Sequence, residues 1–172
     1  VKKTVSTLLA ITLCVAIFGL PAAAKADEMK VAERWALGLH ANPFAGYAPT
    51  VEYWASENMG LSASFSWYYW WSIVGLRGTY LFDTPVHILS MPARPYAGAG
   101  AGFISYNAYL GHAQYNSAGL EVFGGLLQPL SDQISVRAEL EASSYGLTGR
   151  TGYRGFTPLS VGFGIFYHFG HS

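Results

Sequence analysis

Glu121, Arg137, Glu139 and Glu141 are opposite charges set at even spacings within two neighbouring stretches, where the residues between them are apolar or small. Ion pairing is the first chemistry such residues offer. In an interior poor in water, charges must be paired or hydrated, so they either clamp neighbouring strands or line a narrow path that selects ions. Arg34, Glu52 and Arg77 occupy the equivalent alternate positions of their own stretches. The candidate network is therefore Arg34, Glu52, Arg77, Glu121, Arg137 and Glu139, with Glu141 at its margin. Arg34 and Glu52 come out at about the same height in one hairpin, and Arg137 and Glu139 fall near Glu121 in another.

Other chemistries find less support. A nucleophile needs a general base within about 2.6–3.2 Å. His112 and Ser117 sit at a loop rim without a carboxylate nearby, and His171 and Ser172 are adjacent and point apart, so no catalytic residue is assigned. His40, His87 and His168 are isolated, no pair having ligand spacing. They are read as interfacial or lumen residues, and no metal or cofactor is assigned. Gly98, Gly100 and Gly102 would suit a phosphate loop only if a helix followed, and none does. The formal net charge is zero, which gives a nucleic acid no basic stripe to bind.

The elements that must position these groups are strands. Residues 1–26 read as a secretory signal peptide: Lys2 and Lys3, an apolar run from Leu8 to Leu20, then Pro21 and Ala24-Lys25-Ala26 before Asp27. The run is short of the ~20 residues of a spanning helix. Cys14, the single cysteine, lies inside it, so the mature chain has no thiol or disulfide chemistry. Residues 27–172 form one domain. Charged residues are 12% of the chain against ~25% for soluble proteins, and aromatics reach 16%.

Eight stretches of alternating apolar and polar residues run from Val31 to His40, Ala48 to Ala55, Leu61 to Tyr69, Ser72 to Phe82, Pro95 to Tyr106, Ser117 to Leu127, Ile134 to Ser143 and Ser160 to Phe169. Strands of ~9–11 residues cross a bilayer at a tilt. The fold expected is all-β, an eight-stranded antiparallel transmembrane up-and-down barrel with both ends in the periplasm. Trp35, Leu37, Phe65, Leu120, Val136, Phe163 and Ile165 should face lipid. Asp83 to Arg94 is long for a turn, although Val86, His87 and Ile88 could extend the flanking strands. Trp67-Tyr68-Tyr69-Trp70-Trp71 marks a tight hairpin that suits an interfacial girdle or a surface gripping glycan, lipid or a host protein.

In the last strand Gly164, Tyr167 and Phe169 stand where the C-terminal assembly signal of bacterial outer-membrane barrels has its glycine and two aromatics, and the segment resembles that signal. Pro95-Tyr96-Ala97-Gly98-Ala99-Gly100-Ala101-Gly102 is similar to a strand common in the superfamily of OmpA-like and opacity-type small outer-membrane barrels. The resemblance implies export to the outer membrane, contact with outer-membrane lipids and the assembly machinery, and a monomer. Some outer-membrane barrels are lipid A deacylases with His and Ser two residues apart on a late strand. Ile134 to Ser143 has serines but no nearby histidine. The function expected is a structural or surface-interaction role with the lumen plugged by charged and polar side chains. A narrow channel for small solutes or ions is the alternative, and a lipid A-modifying enzyme is third.

Overall fold

The computed structural model describes residues 35–42, 46–68, 71–88, 91–107, 114–146 and 154–169. The expected signal peptide, Arg34, Tyr69 and Trp70 lie outside them. The described residues contain nine strands and no helix: β1 (Trp35–Asn42), β2 (Gly46–Trp54), β3 (Met59–Tyr68), β4 (Trp71–Leu81), β5 (Val86–Ile88), β6 (Met91–Asn107), β7 (Gln114–Pro129), β8 (Ile134–Gly146) and β9 (Arg154–Phe169). Each long strand pairs antiparallel with its chain neighbours. β1 pairs with β9 and β4 with β6, so eight strands close on themselves. Closure leaves no free edge in the ring, which is what a sheet in lipid requires.

The ninth strand accounts for the long connection after β4. Val86–Ile88 pair with Ala93–Met91, so the segment is a short hairpin built on an extension of β6. The strands at the opposite end also run further than the alternation suggested. β9 begins at Arg154, not Ser160, and β8 continues to Gly146 beyond a bulge between Glu141 and Ser143. Their side chains there are short or irregular in pattern, but the backbone ladder carries the pairing onward.

Because successive side chains point to opposite faces, register alone sorts the residues. Trp35, Leu37, Leu39, Val51, Leu61, Phe65, Leu76, Phe103, Leu120, Leu140 and Ile165 are large, apolar and exposed on the outside. Val136 departs from the expected lipid-facing set, being only 3% exposed. It keeps the outward parity of β8, but Gln128 and Ile165 flank it in the ladder on either side.

Inside, the end bearing the short turns is filled by Trp54, Leu81, Tyr96, Phe123 and Leu127, all buried. They are alternate residues of β2, β4, β6 and β7. Their bulk needs small partners, because an eight-stranded barrel is only wide enough for side chains to fill. The Trp54 ring lies over Gly60, and a β-carbon at Gly98 would overlap both the Phe123 ring and the Gly78 carbonyl. Above this apolar floor lies the charged layer.

Candidate functional site

Two guanidiniums organise the interior. Arg137 of β8 reaches across the lumen to Glu52 of β2, with Nη1 donating to Oε1 at 2.8 Å and Nη2 to Oε2 at 2.5 Å. Trp54 Nε1 donates to the same carboxylate at 3.0 Å. The pair sits in an aromatic cage, the guanidinium carbon lying 4.1 Å from the Phe166 ring centre, 5.6 Å from Tyr96 and 5.7 Å from Trp54. Arg137 is 7% exposed and Glu52 fully buried. A two-point contact in a dry site suits arginine, whose planar fork matches a carboxylate.

Arg77 of β4 is shared among several acids instead. Its Nε donates to Glu121 Oε1 at 2.7 Å, Nη2 to Glu121 Oε2 at 3.0 Å and Nη1 to Glu139 Oε1 at 2.6 Å. Glu141 Oε2 lies 3.5 Å from Nη2, and the Phe123 ring lies 4.6 Å below. His40 of β1 joins from the other side of the barrel, its Nε2 2.9 Å from Glu139 Oε1 and 3.2 Å from Glu141 Oε1. The outer oxygens of these two glutamates are held by neutral donors. Tyr96 donates its hydroxyl to Glu139 Oε2 at 2.7 Å, and Asn42 Nδ2 donates to Glu141 Oε2 and to Ser160 Oγ.

Five residues of the expected network, Glu52, Arg77, Glu121, Arg137 and Glu139, thus lie in the lumen together with Glu141; Arg34 lies outside the described residues. The partners differ from those suggested by hairpin proximity. β7 and β8 are registered so that Glu121 faces Ser143, while Arg137 faces Leu127. Glu121 is therefore taken by Arg77 and Arg137 by Glu52, on strands far apart in sequence. His40, Tyr96 and Asn42 were not among the expected network. Their inward parity was readable, but nothing local says that β1 and β6 bring them to the acids of β8.

A serine–histidine contact also emerges. Ser135 Oγ lies 2.8 Å from His168 Nε2, joining β8 to β9, where the sequence offered no histidine near the serines of β8. Ser135 is 1% exposed. A nucleophile must meet its substrate, and a hydroxyl so enclosed acts as a clasp between strands. Of the aromatic hairpin, Trp67 is 75% exposed. Tyr167 and Phe169 point outward with ring centres 5.0 Å apart, while Gly164 faces inward beside the Phe166 ring.

An apolar exterior around a charged interior on eight closed antiparallel strands defines the class: a small transmembrane-type β-barrel. A solved structure supports the same fold. The N-terminal β-barrel domain of Pseudomonas aeruginosa OprF superposes with a TM-score of 0.57 at 18% identity, covering 78% of this chain and 95% of that one. Neisserial surface protein A aligns with a TM-score of 0.47 at 17% identity over 78% of this chain and 93% of its own. No family model matches the chain, and no curated protein does. The eight-stranded antiparallel barrel expected from the alternation is the architecture observed.

Proposed function

We propose that this chain is a small outer-membrane barrel with a structural or surface-interaction role, and that its lumen is closed by the charged layer and the apolar floor beneath it. The observation that carries the reading is the Arg137–Glu52 pair, spanning the interior from β8 to β2 directly above Trp54 and Tyr96. An open pore would hydrate such a pair, whereas here aromatic rings surround it. Outer-membrane lipids cover the exposed apolar belt, the assembly machinery reads Gly164, Tyr167 and Phe169, and the barrel acts as a monomer. The loop-end aromatics, Trp67 to Trp71, supply the surface contact.

One observation favours the second reading, a narrow channel. A cavity of about 20 Å³, enough for roughly one water, is bordered by Thr50, Ser62, Ser64, Thr79, Arg77 and Arg137. Planar-bilayer recording separates the two. The expected result is no steady conductance from the wild-type protein. A stable single-channel current whose ion selectivity changes in Arg137→Ala would make these residues a selectivity ring and the protein a channel.

A further inference from the structure

The lumen holds more carboxylates than guanidiniums among the described residues. Among the described residues two guanidiniums, Arg77 and Arg137, face four buried carboxylates, Glu52, Glu121, Glu139 and Glu141. Arg137 and Glu52 account for each other, which leaves Arg77 with three acids. Burying uncompensated carboxylates is costly, and among the described residues these three exceed Arg77 by two charges, of which a protonated His40 would meet one. The excess falls where His40, Glu139 and Glu141 converge.

The geometry there is that of a ligand set. One nitrogen and two carboxylate oxygens lie within 4.8 Å of one another. His40 Nε2 is 2.9 Å and 3.2 Å from the two oxygens, close to the ~3.3 Å that separates neighbouring ligands of a tetrahedral zinc ion with bonds of 2.0–2.2 Å. His40 Nε2 and Glu141 Oε1 are both buried and, though 3.2 Å apart, neither makes a well-aligned hydrogen bond. The remaining oxygens of the two glutamates are fixed by Tyr96 and Asn42, an outer shell that leaves Oε1 of each toward His40, that of Glu139 also accepting from Arg77. Gly162 of β9 makes the convergence possible, since a β-carbon there would overlap Glu141 Oε1 and crowd the His40 ring. The His40 side chain keeps 12% exposure and borders the small cavity.

We propose that His40, Glu139 and Glu141 form a site for one divalent cation of the zinc class, held in the lumen and neutralising the surplus carboxylates. A mixed nitrogen and oxygen set with three protein ligands favours Zn²⁺ or Co²⁺, with a fourth position open, over magnesium and calcium, which prefer all-oxygen donors. Glu139 keeps its contact to Arg77, because one carboxylate oxygen has lone pairs for both.

The test uses the untagged chain folded in detergent micelles, stripped with chelator and titrated with Zn²⁺. One ion should bind per chain and raise the unfolding temperature. His40→Ala and Glu141→Gln should each weaken binding by at least about 10-fold, while His87→Ala on the exposed β5 hairpin should not. Co²⁺ should give the visible spectrum of a four-coordinate site, lost in His40→Ala. X-ray absorption at the zinc edge of the wild-type chain stands even if a variant fails to fold, and should report a single imidazole among oxygen ligands. No saturable binding, two or more imidazoles, or unchanged affinity in folded His40→Ala and Glu141→Gln would overturn the site and leave His40 as an ion-paired imidazolium.

Discussion

Arg137 and Arg77 are buried guanidiniums in the same lumen, yet they are held in opposite ways. Arg137 has one acid, Glu52, gripped at two points and walled by Phe166, Tyr96 and Trp54. Arg77 has three acids within reach, with Tyr96, Asn42 and His40 arranged around them. The first arrangement is balanced in charge and walled by rings, so its worth lies in rigidity. The second is an excess of negative charge beside a small cavity, so it can accept something. One strand supplies both: Arg137, Glu139 and Glu141 are alternate residues of β8, and the division between clamp and acceptor falls between 137 and 139.

The largest effect should come from breaking the clamp. Removing one member of a buried pair strands the other charge, at a typical cost of about 3–5 kcal/mol. Arg137→Met and Glu52→Gln should each lower the unfolding free energy by that order, read from the denaturant midpoint, and the double variant should recover part of the loss. Equal and additive losses in the two single variants would mean that the pair is not a unit.

Arg77→Met should cost somewhat less, about 3 kcal/mol, because Glu121 loses its guanidinium while Tyr96, Asn42 and His40 still serve Glu139 and Glu141. Here the comparison sharpens. Zn²⁺ should restore much of the unfolding midpoint in Arg77→Met and none of it in Arg137→Met. Rescue of both, or of neither, would erase the distinction between the two halves of the lumen.

The smallest effect should be that of Tyr96→Phe, which removes one hydrogen bond to a charged acceptor, worth roughly 1.5–3 kcal/mol, and keeps the ring packing. The apolar floor should survive, since the Tyr96 ring still meets Phe123 at 6.2 Å between centres. Weaker zinc binding with a modest fall in the midpoint is the expected signature. A large fall in stability would place Tyr96 in the clamp and not in the outer shell of the acceptor.

Much of this architecture was legible from residue order. The strict alternation of Leu61, Ala63, Phe65 and Trp67 with Ser62, Ser64 and Ser66 assigns both faces of β3 without any tertiary information, and the alternating glycines of Gly98 to Gly102 announce an interior crowded by bulky neighbours. Parity propagates along a strand, so a single buried position fixes the side of every other one. That is why Glu52, Arg77, Glu121, Arg137 and Glu139 could be assigned inward from the chain alone. The β5 hairpin was half visible, in Val86 to Ile88, but its pairing with Met91–Ala93 depends on a short ladder that carries no periodic pattern.

Parity says nothing about who meets whom. A strand's height against its neighbour is set by the ladder register, and contact across a lumen depends on the closure of β4 on β6 and β1 on β9. Those pairings bring Glu52 to Arg137 over 85 residues, and His40 to Glu139 and Glu141 over about 100. The covalent chain determined that a charged interior and an apolar exterior must exist. Only the closed barrel decided that one arginine would be sealed by aromatic rings while the other stands among three acids and an imidazole, because the sum of all the registers around the ring fixes which inward side chains share a height.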